Sequence, residues 1–265
     1  MEILTIALLG VLGTLSSGGL ILDSIIEQNL QRQAIAVEER VIRIDNVPGY
    51  QIASGKLHKL RLATRGLKLE PLRIEVLELE TEPIALKRSQ LSFDSVSQFR
   101  KALRQPLQGA VKIVLTERDL NQALQRPQFQ TRLQQNLNRL VARKAGSANI
   151  AYELIAPSLE LQPQNRLKIN FILRRSSGIY RSNELAMVLK LKVTSDGRTI
   201  KLSELAGTVN QRPMSSRLLE GFADGISDRL SLEDLQADGI LARLLQLKIE
   251  EHSLTIIGFA RVETN

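Results

Sequence analysis

The residue types that catalyse reactions are scarce in this chain, and their spacing matches no common catalytic or metal-binding motif. The two histidines, His58 and His252, stand far apart, and neither occurs in a spacing such as H-x-x-x-H that would hold zinc. The chain has no cysteine, which excludes thiolate metal sites, disulfides and a cysteine nucleophile. Glycine-rich dinucleotide loops, the Walker A sequence and the G-x-S-x-G elbow are also absent. We therefore expect no cofactor, no metal and no enzymatic activity.

The acidic residues offer another route to catalysis, but their patterns are typical of solvated surfaces. The carboxylates between Glu75 and Glu82 alternate with aliphatic residues, as they would on the outer face of a strand. Asp224 and Asp228 lie one helical turn apart, a spacing that fits a polar helix face better than a metal site. A hydrolase that uses a carboxylate pair is therefore the least favoured interpretation.

The net charge of +8 is concentrated in the middle of the chain. Ten basic residues lie between Phe99 and Gly146, where Glu117 and Asp119 are the only acidic residues. A local positive field attracts phospholipid head groups, nucleic acid or acidic proteins, although a solvated helix face has the same composition. Single-strand nucleic-acid binders add aromatic stacking platforms, and this segment has only Phe99 and Phe129. We therefore expect no nucleic-acid partner.

Residues 1–33 differ from the rest of the chain and form the first of two predicted units. The stretch from Ile3 to Leu22 has no charged residue, and a helix of this length would rise about 30 Å, one hydrocarbon thickness. Glycine and serine dilute its hydrophobicity, and from Leu20 onward the pattern is that of an amphipathic helix. We predict an N-terminal helix that is a membrane anchor, an export signal or a buried helix, in that order.

The side of the membrane stays open. No Lys or Arg precedes the segment, whereas Arg32 and Arg40 follow it, so the positive-inside rule would leave the main domain cytoplasmic. A secretory signal peptide begins with positive side chains, and this chain begins with Met1 and Glu2. The small residue Ser16 would still allow cleavage, and with it a periplasmic or exported location.

Residues 34–265 are predicted to form a single α+β domain of antiparallel strands with helical insertions. Leu60, Leu62 and Thr64 alternate with basic residues, so one face of this strand is apolar and the other is positive. Between Leu72 and Leu79 the alternation slips by one residue, which suggests a β-bulge that bends the sheet. No βαβ rhythm is present, which favours antiparallel meanders.

Helices and turns are indicated at defined places in this domain. Thr116 followed by Asp119 forms a capping box that starts a helix, and Pro127 interrupts that helix. Asp196 with Gly197 is a hairpin dipeptide. Further predicted elements are a helix from Phe93 to Leu103, a strand from Ala110 to Leu115, a helix from Met214 to Leu230, and a final hairpin of Ile240 to Ile249 with Leu254 to Val262.

Five stretches of the chain carry a family resemblance. They are RIDNVPGYQIASGKLHKLRLATRGL (Arg43 to Leu67), LRIEVLELETEPI (Leu72 to Ile84), LTERDLNQAL (Leu115 to Leu124), GFADGIS (Gly221 to Ser227) and ARLLQLKI (Ala242 to Ile249). In this order they resemble the cyanobacterial branch of the LmeA-type phospholipid-binding family. They cover most of the chain after the N-terminal segment and contain no catalytic signature.

The resemblance implies an exported or membrane-associated protein that binds phospholipid. It also implies an antiparallel sheet curved around helices, similar to tubular (TULIP-like) lipid-binding folds. Together with the apolar strand faces, it leads us to expect non-enzymatic binding or transfer of phospholipid or glycolipid at a membrane. The residues expected to contact lipid are Leu60, Leu62, Leu72, Ile74, Leu218, Phe222 and Ile226. The residues expected to attract head groups or the membrane are Arg126, Arg132, Arg139, Arg143 and Lys144.

A structural or scaffolding protein of the membrane or cell envelope is the alternative. Its core would be closed, and its basic face would dock an acidic protein partner. A continuous apolar surface as long as an acyl chain would favour lipid binding, whereas dense packing of the same residues would favour the scaffold.

Overall fold

Strands hold 64% of the residues that the structure describes, so the chain is mostly β. The computed structural model describes residues 34–36, 39–45, 56–69, 72–87, 96–127, 129–131, 133–135, 152–175, 184–217, 219–220, 223 and 231–264. The predicted N-terminal helix at 1–33 lies outside these residues.

The strands and helices follow one another along the chain with short connections. The strands are β1 Ala34–Ala36, β2 Glu39–Asp45, β3 Lys56–Leu57, β4 Lys59–Leu69, β5 Leu72–Thr81, β6 Ile84–Ala85, β7 Leu107–Thr116, β8 Tyr152–Gln162, β9 Arg166–Arg175, β10 Glu184–Ser195, β11 Ile200–Val209, β12 Arg212–Pro213, β13 Ile240–Glu250 and β14 Ser253–Val262. The helices are α1 Val96–Ala102, α2 Glu117–Leu124 and a 3₁₀ helix Glu233–Asp238.

Two antiparallel sheets form the described architecture. The large sheet has seven strands in the order β1-β4-β5-β7-β14-β13, with β2 also paired to β4, and the small sheet has five in the order β12-β11-β10-β9-β8. The antiparallel meander is confirmed. The α+β prediction is corrected, because the described helices are few and short. A proline follows each of α1 and α2 within four residues, at Pro106 and Pro127, and proline opposes helix continuation.

The alternating pattern of β4 is confirmed. Leu60, Leu62 and Thr64 are buried, and the basic residues between them face outward. The expected β-bulge near Val76 is absent from the described pairing of β4 with β5. Instead, both strands change phase at the same place while the register stays unshifted. Gly66, with a φ of 62°, allows this reversal because glycine adopts the left-handed region without steric cost.

Bulges occur at other places in the two sheets. The pairing shifts in β8 between Ile155 and Ser158, opposite Lys190 and Lys192 in β11, and in β13 between Leu244 and Gln246. Each extra residue bends its strand and increases the local twist. The sequence alternation did not indicate these three positions.

The core lies on one face of the large sheet, which we call its inner face. At one end α1 and the 3₁₀ helix cover it, since Phe99 and Leu235 pack in one cluster with Leu60 and Leu62. In the middle α2 covers it, through a second cluster that includes Ala123. A third cluster, with Leu161, Leu191, Val193 and Ile249, joins the large sheet to the small one.

The turns of the small sheet dock on β13, the edge strand of the large sheet. The Ile249 amide donates to Asn165 Oδ1 at 2.7 Å, and the Leu244 amide donates to the Gly197 carbonyl at 2.8 Å. The hairpin predicted at Asp196 and Gly197 is confirmed. These contacts satisfy backbone groups that an edge strand would otherwise expose, and they hold the two sheets together.

Candidate lipid-binding surface

The small sheet has one aliphatic face and one charged face. Residues directly opposite each other in an antiparallel pair project on the same side. Leu189 pairs with Ile169, and Met187 pairs with Phe171, so the apolar positions of β9 and β10 share one side. We call this side the inner face of the small sheet. Its members on these two strands are Leu167, Ile169, Phe171, Leu173, Leu185, Met187, Leu189, Leu191 and Val193.

Burial decreases along this inner face with distance from the large sheet. Leu191 and Val193, near the junction, are buried in the third core cluster. Ile169, Phe171 and Leu189 lie further away and are half-buried. This part of the inner face therefore retains accessible aliphatic surface.

The chain after β12 crosses this inner face at Gly207. A Cβ built on Gly207 would meet Met214 Sδ at 2.8 Å, Leu189 Cδ2 at 2.9 Å and Leu219 Cδ2 at 3.0 Å. Only a residue without a side chain permits such an approach. Leu219 and Ala223 are buried, so the described part of the predicted helix from Met214 to Leu230 packs on the small sheet.

The edge strand β8 is covered by polar side chains of α2. The Leu161 amide donates to Glu117 Oε2 at 2.7 Å, and the Leu159 amide donates to Asn121 Oδ1 at 2.9 Å. Gln125 Nε2 donates to the carbonyl two residues earlier on β8, at 2.8 Å.

The spacing of this ladder has a simple geometric cause. Four residues of helix rise about 6 Å, and two residues of strand rise about 6.6 Å. Side chains at every fourth helical position therefore match alternate backbone groups of a strand. Further along, the Leu154 amide donates to Gln134 Oε1 at 2.7 Å. Helical side chains thus take the place of a sixth strand, and they fix α2 between the sheets.

A buried carboxylate lies where α2 begins. Thr116 is the N-cap, as predicted, and its hydroxyl accepts from the Asp119 amide at 3.1 Å. Asp119 is 1% exposed. Its Oδ2 accepts from the Thr116 hydroxyl at 2.6 Å and from Arg73 Nη1 at 3.0 Å, and its Oδ1 has no hydrogen-bond partner. Arg73 also reaches Glu75 at 2.6 Å, so one arginine links β5 to the start of α2.

The four described residues that we expected to contact lipid are all buried on the inner face of the large sheet. Leu60 and Leu62 belong to the cluster under α1, whereas Leu72 and Ile74 belong to the cluster under α2. The other three expected residues lie outside the described residues: Leu218, Phe222 and Ile226. Lipid contact at these seven positions stays a prediction.

Of the residues expected to attract head groups, Arg126 is described, and it is exposed. Its carbonyl accepts from the Phe129 and Gln130 amides at 3.0 Å, where the chain turns helical again after Pro127. The remaining four lie outside the described residues: Arg132, Arg139, Arg143 and Lys144.

The outer face of the large sheet carries paired charges. Glu80 accepts from Lys59 and Arg61, and these hydrogen bonds, Lys59 first, hold the pKa of its carboxyl below the ordinary range. Lys112 pairs with Glu78 at 3.3 Å. This arrangement supports the interpretation of these carboxylates as a solvated strand face.

The described residues contain no cluster of three or more His, Cys, Asp or Glu able to hold a metal ion. His252 is 72% exposed and lies 3.6 Å from Glu117. Within the described ranges, no helix is both long and apolar enough to cross a bilayer.

Comparison with known proteins gives one match. A family model for LmeA-like phospholipid-binding proteins matches residues 13–259, nearly the whole chain. No curated protein and no solved structure matches the chain. On the strength of that match, the chain belongs to the LmeA-like phospholipid-binding family.

Proposed function

We propose that this protein binds phospholipid at a membrane without catalysing a reaction, and that acyl chains lie on the inner face of the small sheet. Membership in a phospholipid-binding family supports the ligand class. The observation that carries the proposal is the aliphatic face of β9 and β10, which is continuous in register and half-buried at Ile169, Phe171 and Leu189.

The size of this surface suits an acyl chain. One acyl chain spans half of the hydrocarbon core, about 15 Å, and this corresponds to roughly five residues of extended strand. The stretch from Ile169 to Leu173 has that length. Each buried CH₂ contributes about 0.8 kcal/mol, so aliphatic contacts alone would hold a chain there without polar recognition.

The large sheet would extend the same surface. Leu60, Leu62, Leu72 and Ile74 lie on its inner face, but α1 and α2 already cover them. Lipid contact at these positions would therefore require α1 or α2 to move.

Several finer features belong to the same proposal. They are a single domain at residues 34–265 behind an N-terminal anchor at 1–33, a curved sheet similar to tubular (TULIP-like) folds, membership in the cyanobacterial branch, a location at the cell envelope, transfer as well as binding, and glycolipid as a second ligand. The uncharged stretch from Ile3 to Leu22 supports the anchor. The three bulged strands support curvature.

Native mass spectrometry of the purified chain with its lipid extract tests this proposal. We expect bound phospholipid that exchanges with added phospholipid. Leu189→Asn, on the inner face, should reduce the bound fraction. Val188→Asn, the adjacent half-buried position on the outer face, is the matched control and should leave it unchanged. The proposal is wrong if no lipid is bound, or if both variants bind as well as the original chain.

A scaffolding role is the second candidate, and the packing of Leu60 favours it. This residue is 2% exposed in a closed cluster with Phe99 and Leu103. The two functions differ in one measurable property: a scaffold would purify without lipid and would retain an acidic protein partner through its basic surface.

A further inference from the structure

The outer face of the small sheet carries a block of basic residues near the junction with the large sheet. Lys190 of β10 is directly opposite Lys168 of β9, and Lys192 is directly opposite Arg166. Like charges at directly opposed positions destabilise a sheet. We call these four residues the basic block.

Two carboxylates compensate the basic block only in part. Glu160 pairs with Lys168 at 2.8 Å, and Glu204 pairs with Lys192 at 2.9 Å and with Arg166 at 3.3 Å. The pKa of Glu160 is lowered first by its hydrogen bond from Lys168, and that of Glu204 first by its hydrogen bond from Lys192. Both stay ionised at neutral pH, so four cations against two anions leave an excess of two positive charges.

Lys190 is the uncompensated member of the block. Among the described residues, no hydrogen bond or ion pair reaches its ammonium group, and its side chain is exposed. Lys190 is opposite Ala206 on β11, which offers no acidic partner.

A bulge in β11 shapes the surface beside the block. Lys190 pairs with Ala206 and Lys192 pairs with Ser203, so β11 carries one extra residue between them. Glu204 has a φ of 50° there and turns to the outer face. The small side chain of Ala206 leaves a hollow of about 310 Å³ between these groups.

Other parts of the two outer faces lack this excess. On the large sheet, Arg61 is directly opposite Glu80 and Lys112 is directly opposite Glu78, so unlike charges face each other. At the far end of the small sheet, Arg174 contacts two carboxylates, those of Glu184 and Glu153. The positive excess is therefore confined to the end of the small sheet beside the junction.

We propose that the basic block docks on the surface of an anionic phospholipid bilayer, with head-group phosphates over the pair of Lys168 and Lys190. The open, extended sheet face matches a planar surface, and its charge is complementary to anionic head groups. Among the described outer-face residues of β8 to β11 there is no aromatic side chain, so a stacking platform for single-stranded nucleic acid is missing. The inference takes its ligand class from the proposed function but uses the opposite face of the sheet.

Co-sedimentation of the full chain with vesicles tests this docking. The vesicles contain phosphatidylcholine alone or phosphatidylcholine with phosphatidylglycerol, each at low and high salt. A lysine near an anionic surface strengthens binding about five-fold. Replacing both Lys168 and Lys190 by Ser should therefore weaken the salt-sensitive binding to anionic vesicles by roughly 25-fold. The matched control replaces Lys59 and Lys112 by Ser on the large sheet, and it should change this binding less than three-fold.

The result separates docking from lipid binding on the inner face, because native mass spectrometry of the same variants reports the co-purified lipid. We expect that lipid to be unchanged, and circular dichroism to show both variants folded. Equal loss in the two double variants, or binding that ignores anionic lipid and salt, would overturn the proposal. Inorganic phosphate or RNA that displaces the original chain from vesicles through Lys190 at low concentration would also overturn it, since the block would then serve a soluble ligand.

Discussion

Asn121 gives a direct test of the side-chain ladder between α2 and β8. Its amide makes two hydrogen bonds with the backbone of Leu159, one to the carbonyl at 2.8 Å and one from the amide at 2.9 Å. Asn121→Ala removes both. At about 1 kcal/mol for each bond, the loss is about 2 kcal/mol. Alanine is the better helix former by about 0.5 kcal/mol, so the net destabilisation should be about 1.5 kcal/mol.

Hydrogen exchange followed by NMR measures this loss at the strand itself. Because 1.4 kcal/mol corresponds to a factor of ten, the Leu159 amide should exchange about tenfold faster in the variant. Gln122→Ala is the control, since Gln122 is the next residue of the same helix and is exposed. If the Leu159 amide exchanges at the same rate in both variants, the ladder does not hold the edge of the small sheet.

Three further predictions concern packing, a buried ion pair and pH. Gly207→Val should cost about 1–3 kcal/mol of unfolding free energy in urea titrations, because the new side chain overpacks the crossing at the inner face. Asp119→Asn should cost about 3 kcal/mol in the same assay, since it leaves the buried charge of Arg73 partly unpaired. The carboxyl of Asp196 should titrate by NMR below its ordinary pKa of 3.8, chiefly because Lys201 hydrogen-bonds to it. Its stabilising contribution is then present above about pH 4 and is lost as pH falls through the lowered pKa.

Each of these predictions has a control in the same part of the structure. Ala206→Val changes the exposed outer face next to Gly207 and should alter stability by less than about 0.5 kcal/mol. Glu75→Gln removes the more exposed partner of Arg73 and should cost less than about 1 kcal/mol. A similar cost for either control and its partner variant would contradict the packing or ion-pair argument. An Asp196 titration midpoint at or above 3.8 would contradict the assigned hydrogen bonds.

Local pattern was sufficient for most strands. The alternation at Leu60 and Leu62 predicted the buried side of β4 correctly, because a strand places successive side chains on opposite faces whatever its partners are. Thr116 was recognised as an N-cap because capping involves only the next three residues. The phase slip near Val76 was interpreted as a bulge. Its true form depends on the neighbouring strand, which changes phase at Gly66 in the same register.

The candidate surfaces were less predictable, since each depends on residues that are distant in sequence. Nothing in the order of Lys168 and Lys190 along the chain shows that they are directly opposed, because the register of β9 with β10 brings them together. The match of Asn121 to Leu159 likewise requires α2 to lie beside β8 at the correct depth. Gly207 looks unremarkable in a strand until the chain at Leu219 crosses it.

The sequence by itself determined the apolar and polar sides of the strands, the absence of familiar reaction chemistry and the family, because these follow from residue identity and local spacing. Only the tertiary structure decided which apolar residues are covered by α1 and α2, which stay accessible at Ile169 and Leu189, and where positive charge is left uncompensated. The physical reason is that burial and electrostatic compensation are properties of pairs. Those pairs are set by strand register and helix placement across many residues of chain.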